Sequence, residues 1–268
     1  VAMGITGTDV TKEAGDMVLR DDNFATIVNA VEYGRSLYDN LIKYLRFQMV
    51  CLITFIAVFV GATILNIAAG APLNPVQILW LNFAIDVPLA IALGFDTPTP
   101  GLMLRRPRRA DAPVFTRSEW IRLAADGAVM TIGVLALYWY MEEDHGAAVA
   151  ATMLLTTLTL FHIVMGICAR SDRDSVLSRD AIPGWGQARF YLLALILGLV
   201  ATEFGFLQRA LDTESLNMNK WLICVGVALT LLIFEEAVKF YRRRSKPATE
   251  IEVTISAQPE NMEVSVAQ

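Results

Sequence analysis

The stretch FQMVCLITFIAVFVGATILNIAAGAPLNPVQILWLNFAIDVPLAIALGF, residues 47–95, decides the fold of this chain. Over its whole length it carries a single charged side chain, that of Asp86. An α-helix needs about 20 apolar residues to cross a hydrocarbon core about 30 Å thick. Two runs of that length lie here, Phe47–Ala69 and Val76–Phe95, and the segment 70–75 between them contains two prolines, which favour a chain reversal. We therefore predict two membrane helices joined as a hairpin.

The composition places the whole chain in the same class. Of its 268 residues, 55% are hydrophobic and 18% are charged, and the mean hydropathy is +0.48. A soluble domain carries about 25% charged residues, so these values exclude a disordered chain and disfavour a water-soluble globule. The net charge of −5 argues against a nucleic-acid-binding protein, because counterion release requires a basic surface.

Further apolar windows extend the pattern to six spans in three hairpins. These windows are Leu123–Met141, Gly146–Cys168, Phe190–Phe206 and Trp221–Phe240. The predicted fold class is an all-α membrane protein, a six-helix transmembrane bundle formed by residues 47–240. Residues 241–268 are predicted to form a cytoplasmic C-terminal tail, because they contain little apolar periodicity.

The distribution of Lys and Arg predicts how the bundle lies in the membrane. Positive residues near the ends of spans are retained on the cytoplasmic side. They cluster after the second, fourth and sixth spans and are scarce in the turns between. The clusters consist of Arg105, Arg106, Arg108, Arg109, Arg117 and Arg122; Arg170, Arg173, Arg179 and Arg189; and Arg242, Arg243, Arg244 and Lys246. We predict that both termini are cytoplasmic and expect the plasma membrane to be the location.

Residues 1–22 have the pattern of a fragment of an α/β layer. A short helix is predicted near Val10–Ala14, followed by a buried strand at Met17–Leu19. Such a fragment cannot close a hydrophobic core alone.

Residues 23–46 connect this fragment to the first span. Apolar residues recur there at three- and four-residue spacing, which predicts an amphipathic stalk helix, with Asp21 or Asp22 as its cap. Because no break separates it from the membrane helix, it is predicted to act as a mechanical connector. The alternative is a simple surface helix.

The polar residues of the second span are the main candidates for a binding site. A charge near the bilayer centre costs at least about 2.5–3.5 kcal/mol, so Asp86 needs a reason to be there. Asn82, four residues earlier, is predicted to share its helix face, and the two offer oxygen ligands suited to a hard cation. Pro88 has no N–H for the carbonyl of Ala84, so this backbone oxygen is expected to be released beside Asp86. The alternative is a protonated Asp86 that is hydrogen-bonded within the bundle.

The other polar groups inside the spans are weaker candidates for an ion path. His162 is a candidate proton carrier or soft-metal ligand, although a lone histidine on an apolar helix is more often a satisfied bundle residue. Gln48 and Thr54 could add oxygen ligands, and Asp126 lies in the third span without an identifiable partner. The cysteines Cys51, Cys168 and Cys224 lie in apolar stretches without metal-ligand spacing, so we interpret them as small core residues.

Three motifs resemble the P-type cation-transporting ATPases, specifically the calcium-pump-like branch. The string GTDVTKEAGDMVLRDDNFATIVNAVEYGRSLYDN (7–40) resembles the end of the phosphorylation domain, of HAD-like fold, and the fifth-helix stalk. PVQILWLNFAIDVPLAIALGF (75–95), followed by RRPRR (105–109), resembles the sixth helix and its basic loop, and KWLICVGVALTLLIFEEAVKFYRR (220–243) is more weakly similar to the tenth. The resemblance implies that the six spans are helices five to ten of a ten-helix transporter and that residues 47–240 form its transport domain.

The resemblance also implies roles for individual residues. Asn82 and Asp86 match the asparagine and aspartate that coordinate calcium on the family's sixth helix. Leu52 and Phe55 stand where the fifth helix of calcium pumps has an asparagine and a glutamate, and His162 falls near the position of the eighth-helix glutamate. One ion site is therefore more plausible than two. A smaller or softer ion, and proton countertransport through Asp86 or His162, are alternatives to calcium.

The family's phosphorylated Asp-Lys-Thr-Gly motif and its magnesium-binding Gly-Asp-Gly-x-Asn-Asp motif do not occur in these 268 residues. The resemblance thus predicts the transport half of a cation pump that does not hydrolyse ATP on its own. ATP and Mg²⁺ would be bound by cytosolic domains outside this chain, and its partners would be the N-terminal part of the pump, the lipid bilayer and the transported cation. The alternatives are a non-enzymatic subunit or regulator of a complete pump, and an inactive remnant.

Overall fold

A computed structural model describes residues 1–99, 101–105, 112–171, 175–176 and 184–245. Segment 106–111, which holds most of the basic loop after the second span, and the tail from residue 246 onward lie outside the described residues.

The N-terminal fragment is a small α/β unit, as the sequence predicts. Strand β1 (Ala2–Met3) is followed by helix α1 (Asp9–Ala14) and strand β2 (Val18–Leu19). The two strands pair in parallel, with Ala2 opposite Val18 and Met3 opposite Leu19. The strand β1 was not predicted, because two residues are too few to establish an alternating pattern.

Helix α2 (Phe24–Leu65) is continuous for 42 residues, from the α/β fragment through the first span. Its N-cap is Asn23, whose side-chain oxygen accepts a hydrogen bond from the Ala25 N–H at 3.0 Å, so the predicted cap at Asp21 or Asp22 is wrong. Asp22 has a left-handed backbone (φ 50°), and its carboxylate accepts hydrogen bonds from the N–H groups of Ile5 and Thr6 instead. The hydrogen bond from Ile5 holds the pKa of Asp22 below its ordinary value.

The second span is divided into three pieces, and the other spans are single helices. A 3₁₀ turn (Ile67–Gly70) follows α2, and another (Leu102–Leu104) follows α4. The remaining elements are α3 (Pro75–Trp80), a π-helical turn (Leu81–Ile85), α4 (Asp86–Gly94), α5 (Arg117–His145), α6 (Ala147–Cys168), α7 (Trp185–Glu203), α8 (Gly205–Leu211) and α9 (Met218–Ser245).

The helices of the third, fifth and sixth spans begin before their predicted windows, and those of the third and sixth also end after them, while two predicted spans run three or more residues past the end of their helix. The first span was predicted to reach Ala69, but α2 ends at Leu65 because Asn66 adopts the left-handed conformation common at helix C-termini. The fifth was predicted as Phe190–Phe206, but α7 ends at Glu203. An extended residue, Phe204, separates it from α8, and side chains of the following segment cap the freed carbonyls.

Among the described residues, six helices are long and apolar enough to cross a membrane. They pack around α6, of whose apolar window 67% is buried, compared with 22–50% for the other five. α6 contacts α5, α9 and α7, while α2 packs against α5, and α4 packs against α7. The predicted fold class, an all-α bundle in a membrane, is confirmed.

Asp96, directly after α4, ties four parts of the bundle together at one end. Its carboxylate accepts hydrogen bonds from Lys43 of α2 at 2.7 Å, from Arg170 at 3.0 Å and from Gln187 of α7 at 2.7 Å. Burial opposes ionisation of this carboxyl, but the three donors outweigh burial and hold the pKa of Asp96 below its ordinary value. Asn40 of α2 donates to the backbone carbonyl of Asp96 at 2.9 Å, which fixes the end of α4 against the stalk.

Replacing Asp96 with Asn should destabilise the bundle by about 3 kcal/mol, because the largely enclosed side chains of Lys43 and Arg170 would lose the carboxylate that they share. Because the pKa of Asp96 is lower in the folded protein than in the unfolded chain, Asp96 stabilises the folded state fully above the ordinary Asp pKa of about 3.9. This stabilisation is lost as the pH falls through the lower pKa of the folded protein. Thermal unfolding in detergent at neutral and acidic pH measures both effects. Asp144→Asn, at an exposed carboxylate of α5, is the control, and equal melting temperatures for the two variants would contradict the prediction.

Candidate functional site: a polar cluster at the meeting of three helices

The second span is locally widened where its polar residues lie. Pro88 of α4 has no N–H, so the Ala84 carbonyl cannot receive the usual bond from four residues along the helix. The turn Leu81–Ile85 is π-helical, and the Asp86 N–H donates to the carbonyl of Leu81, five residues back. Turns of this kind are frequent at functional sites, because they change the direction in which side chains point. Here the turn brings Asp86 to the interior of the bundle, where 4% of the residue is exposed.

Asp86 is in direct contact with His162 of α6. The Asp86 Oδ1 and His162 Nδ1 atoms lie 2.6 Å apart, and His162 is fully buried. The other polar atom of each side chain, Oδ2 of Asp86 and Nε2 of His162, is also buried and has no hydrogen-bond partner within the described parts of the chain. Buried polar atoms are rarely left in this state, so both atoms are available to a ligand.

Cys51 of α2 completes the arrangement. One ligand atom from each of Cys51, Asp86 and His162 lies within 4.8 Å of those of the other two, and all three residues are buried. We call these three residues the three-helix cluster. Phe47 and Phe55, one helical turn before and one after Cys51, place their rings edge-on to His162, with centroids 6.2 and 5.8 Å away. The aromatic walls keep water from one side of the cluster and strengthen electrostatic interactions within it.

The other predicted ligands of the second span lie beside the three-helix cluster in the chain. Asn82 is half-buried and donates its amide N–H to the Ile78 carbonyl at 2.9 Å, and no hydrogen bond joins it to Asp86 in the described structure. Its side-chain oxygen keeps its lone pairs. Ala84 lies inside the π-helical turn, four residues before Pro88. The prediction that Asn82 and Ala84 are ligands stays a prediction.

The two oxygen candidates of the first span differ in what they contact. The Thr54 hydroxyl donates to the Val50 carbonyl at 2.8 Å and contacts the sulfur of Met130, which directs it toward α5. Gln48 is half-buried on α2, three residues before Cys51. Neither residue is among the three whose ligand atoms converge.

Asp126 belongs to a different group of buried charges. Arg122, one turn earlier on α5, binds Glu235 of α9 through Nη2 and Oε2 at 2.6 Å and through Nε and Oε1 at 3.3 Å. Asp126 interacts electrostatically with both of these residues, and Lys239, one turn after Glu235, donates to the Cys168 carbonyl at 3.1 Å. This α5–α9 charge cluster brings acidic and basic groups together, as expected where charges are buried in a membrane bundle, although neither carboxylate oxygen of Asp126 has a hydrogen-bond partner among the described residues.

Sequence reasoning did not predict that Cys51 lies beside Asp86 and His162. The residue was interpreted as a small core side chain, like Cys168 and Cys224, because no metal-ligand spacing surrounds it. Its partners come from two other helices, 35 and 111 positions away in the chain by subtraction of residue numbers. The one available signal was the four-residue repeat Phe47–Cys51–Phe55, which places Cys51 in the middle of an inward-facing helix stripe.

Removing both members of the Arg122–Glu235 ion pair should destabilise the bundle by less than the two single removals added together. Glu235→Met leaves the Arg122 guanidinium buried without its carboxylate and should destabilise the bundle by about 3–5 kcal/mol. The double variant Arg122→Met, Glu235→Met should lose less than the sum of the two single variants, because neither charge is then stranded. Thermal unfolding of the four proteins in detergent completes this double-mutant cycle, and strictly additive losses would show that the two side chains are not coupled.

The comparison with known protein families agrees with this architecture. Residues 70–241 match the family model described as "Cation transporting ATPase, C-terminus". The match runs from the turn after the first span to the end of the sixth, and it includes Asp86 and His162.

Individual relatives extend the similarity across most of the chain. A calcium-transporting ATPase of Bacillus subtilis is 34% identical over 230 residues, which cover 85% of this chain and 26% of the relative. Calcium-transporting ATPase 7, plasma membrane-type, of Oryza sativa subsp. japonica is 33% identical, covering 94% of this chain and 24% of its own length. Human calcium-transporting ATPase type 2C member 1 is 32% identical, with 91% and 26% covered.

The chain spans about a quarter of the length of these relatives. Since the family model covers most of it and the similarity continues into the stalk, this chain belongs to the P-type cation-transporting ATPases of the calcium-pump-like branch and represents their C-terminal, membrane-embedded part.

Proposed function

We propose that this chain is the ion-translocating half of an ATP-driven pump for calcium or a related divalent cation, and that the ion is held at Asp86. We propose that the protein lies in the plasma membrane, with both termini of this chain on the cytoplasmic side. The basic residues at one end of the bundle support this orientation, because Arg and Lys are retained in the cytoplasm.

The single observation that carries the proposal is the buried carboxylate of Asp86, with one oxygen on His162 and the other without a hydrogen-bond partner among the described residues. A carboxylate inside a membrane bundle is costly unless it pairs with another group or serves transport. The α5–α9 charge cluster shows what a paired structural charge looks like in this protein, with Arg122 and Glu235 joined by two hydrogen bonds. The Asp86 Oδ2 atom, by contrast, is available to bind a cation.

The neighbourhood of Asp86 can supply more oxygen. Asn82 offers a side-chain oxygen one π-helical turn away, and the Ala84 carbonyl has lost its usual donor at Pro88. Calcium takes six to eight oxygen ligands, so these groups would form part of a shell that other helices complete. The printed names of the relatives, all calcium-transporting ATPases, support calcium or a chemically related ion.

The energy source and the remaining ligands are placed outside this chain. ATP and Mg²⁺ would be bound by cytosolic domains, and further membrane helices would belong to the N-terminal part of the pump. An apolar concavity of about 520 Å³ lies beside the π-helical turn and is lined by Val76, Leu79, Trp80, Phe83 and Ala84. Because Ala84 lines this concavity, a helix that packs there could add ligands close to Asp86.

Asp86→Asn in the full-length protein should abolish ATP-driven uptake of divalent cations into inside-out vesicles, a loss of at least about 100-fold, because the neutral amide removes the charge that holds the ion. The measurement is ⁴⁵Ca²⁺ uptake in vesicles with matched amounts of protein. Asp144→Asn removes an exposed carboxylate of the same type and should transport normally. Unchanged uptake by the Asp86→Asn protein would remove this residue from the ion path, and failure of the unmodified protein to transport any divalent cation would remove the pump assignment.

A further inference from the structure

The three-helix cluster presents a ligand set that hard cations do not prefer. Its atoms are one sulfur, one imidazole nitrogen and one carboxylate oxygen, from Cys51, His162 and Asp86. Calcium and magnesium take oxygen ligands, whereas thiolate and imidazole together suit zinc and ions of similar softness. We propose that the three-helix cluster is a binding site for a divalent transition-metal ion of the zinc class. That a metal ion of this class binds to the cluster does not depend on the proposed function. That the same ion is transported does rest on the proposed function.

The distances fit such an ion. Bonds from zinc are about 2.0–2.3 Å long, so ligand atoms around a tetrahedral ion lie about 3–4 Å apart, within the spread of 4.8 Å in this cluster. The contact of 2.6 Å between Asp86 Oδ1 and His162 Nδ1 is too short for both of these atoms to bind one tetrahedral ion. At least one of the two residues must therefore use its other polar atom.

Those other atoms are the ones that the protein leaves without partners. Asp86 Oδ2 and His162 Nε2 are both buried and accept or donate no hydrogen bond within the described residues. A histidine that gives one ring nitrogen to a carboxylate and keeps the other free has the arrangement found around metal ions, where the carboxylate fixes the ring and raises its basicity. The hydrogen bond between Asp86 and His162 thus prepares the imidazole for a metal.

The balance of charge favours a divalent ion. When the sulfur–metal bond forms, the thiol proton of Cys51 leaves to water, and a thiolate remains. The thiolate and the Asp86 carboxylate together carry two negative charges, which a divalent ion neutralises, and His162 binds as the neutral imidazole. The filled site is then uncharged, which matters in a bundle surrounded by hydrocarbon. In this arrangement Cys51 and His162 bind the ion directly and Asp86 acts through the imidazole, so two positions of a tetrahedral ion are left open to water or to oxygen ligands.

Direct binding of Cd²⁺ to the full-length protein in detergent, without ATP, tests the site. Cd²⁺ is a spectroscopic probe of the zinc class, and its bond to a thiolate gives an ultraviolet charge-transfer band. We expect the unmodified protein to show this band. The Cys51→Ser protein should lose the contribution of the Cys51 thiolate to the band and should bind Cd²⁺ at least about tenfold more weakly. Cys224→Ser changes an equally buried cysteine of α9 outside the cluster and should keep both the band and the affinity.

A second variant guards against a folding defect at Cys51. His162→Gln should weaken Cd²⁺ binding by a similar factor while the thiol stays in place, and tryptophan fluorescence reports whether each variant is folded. Competition with Ca²⁺ supplies the selectivity, and we expect a large excess of Ca²⁺ to leave the band unchanged. Identical spectra for the unmodified and Cys51→Ser proteins, or displacement of Cd²⁺ by an equal concentration of Ca²⁺, would overturn the inference.

The outcomes separate this inference from the proposed function. ATP-driven Ca²⁺ uptake that needs Asp86 but is unaffected by Cys51→Ser, together with identical Cd²⁺ spectra, would retain the pump and reject the zinc-class site. A Cys51-dependent Cd²⁺ band in a protein that transports no cation would retain the site and reject the pump. ATP-driven ⁶⁵Zn²⁺ uptake that is lost in both Cys51→Ser and Asp86→Asn, but kept in Cys224→Ser, would support both.

Discussion

The contact between Asp86 and His162 is the interaction on which the rest of the bundle depends. A carboxylate and an imidazole that are buried within the hydrocarbon region cannot form hydrogen bonds with water, so each is stable only with a hydrogen-bond partner inside the protein. Their contact at 2.6 Å joins the second span to α6, the most enclosed helix. Cys51 and the two phenylalanines that flank it on α2 close around this pair. Three helices are thus held together by polar chemistry at a point where apolar packing alone would specify little.

The α5–α9 charge cluster and the three-helix cluster differ in the kinds of side chain that they bring together. In the α5–α9 charge cluster, Arg122 and Glu235 share two hydrogen bonds and Lys239 donates to a backbone carbonyl. Both carboxylate oxygens of Asp126 in the same cluster are buried and have no hydrogen-bond partner among the described residues. In the three-helix cluster, two buried atoms, one of Asp86 and one of His162, lack partners among the described residues. Unpartnered buried atoms therefore occur in both clusters. The three-helix cluster is distinguished by the meeting of a thiol, an imidazole and a carboxylate, which together can bind a metal ion.

Sequence patterns predicted the six-span architecture but only part of the candidate site. The six spans and the importance of Asp86 follow from hydropathy and from the cost of a charge in lipid, which act locally along the chain. The meeting of Cys51, Asp86 and His162 depends on how three helices rotate about their axes, and periodicity fixes the inward face of a helix without naming its neighbour. Asp96 was missed for the same reason, because its donors Lys43, Arg170 and Gln187 come from distant segments. The cap at Asn23 could not be separated from two preceding aspartates by propensity alone.

Because α2 is long and unbroken, a small rotation at one of its ends produces a large displacement along its length. From Phe24 beside the α/β fragment to Cys51, the axis runs for about 40 Å at 1.5 Å per residue, and no proline interrupts it. Tilting this helix by about one degree around its N-terminal end displaces the sulfur by about 0.7 Å, whereas metal–ligand bonds tolerate about 0.2 Å. If the three-helix cluster binds a metal ion as we propose, an angular change too small to disturb helix packing would be enough to break the bond between Cys51 and that ion.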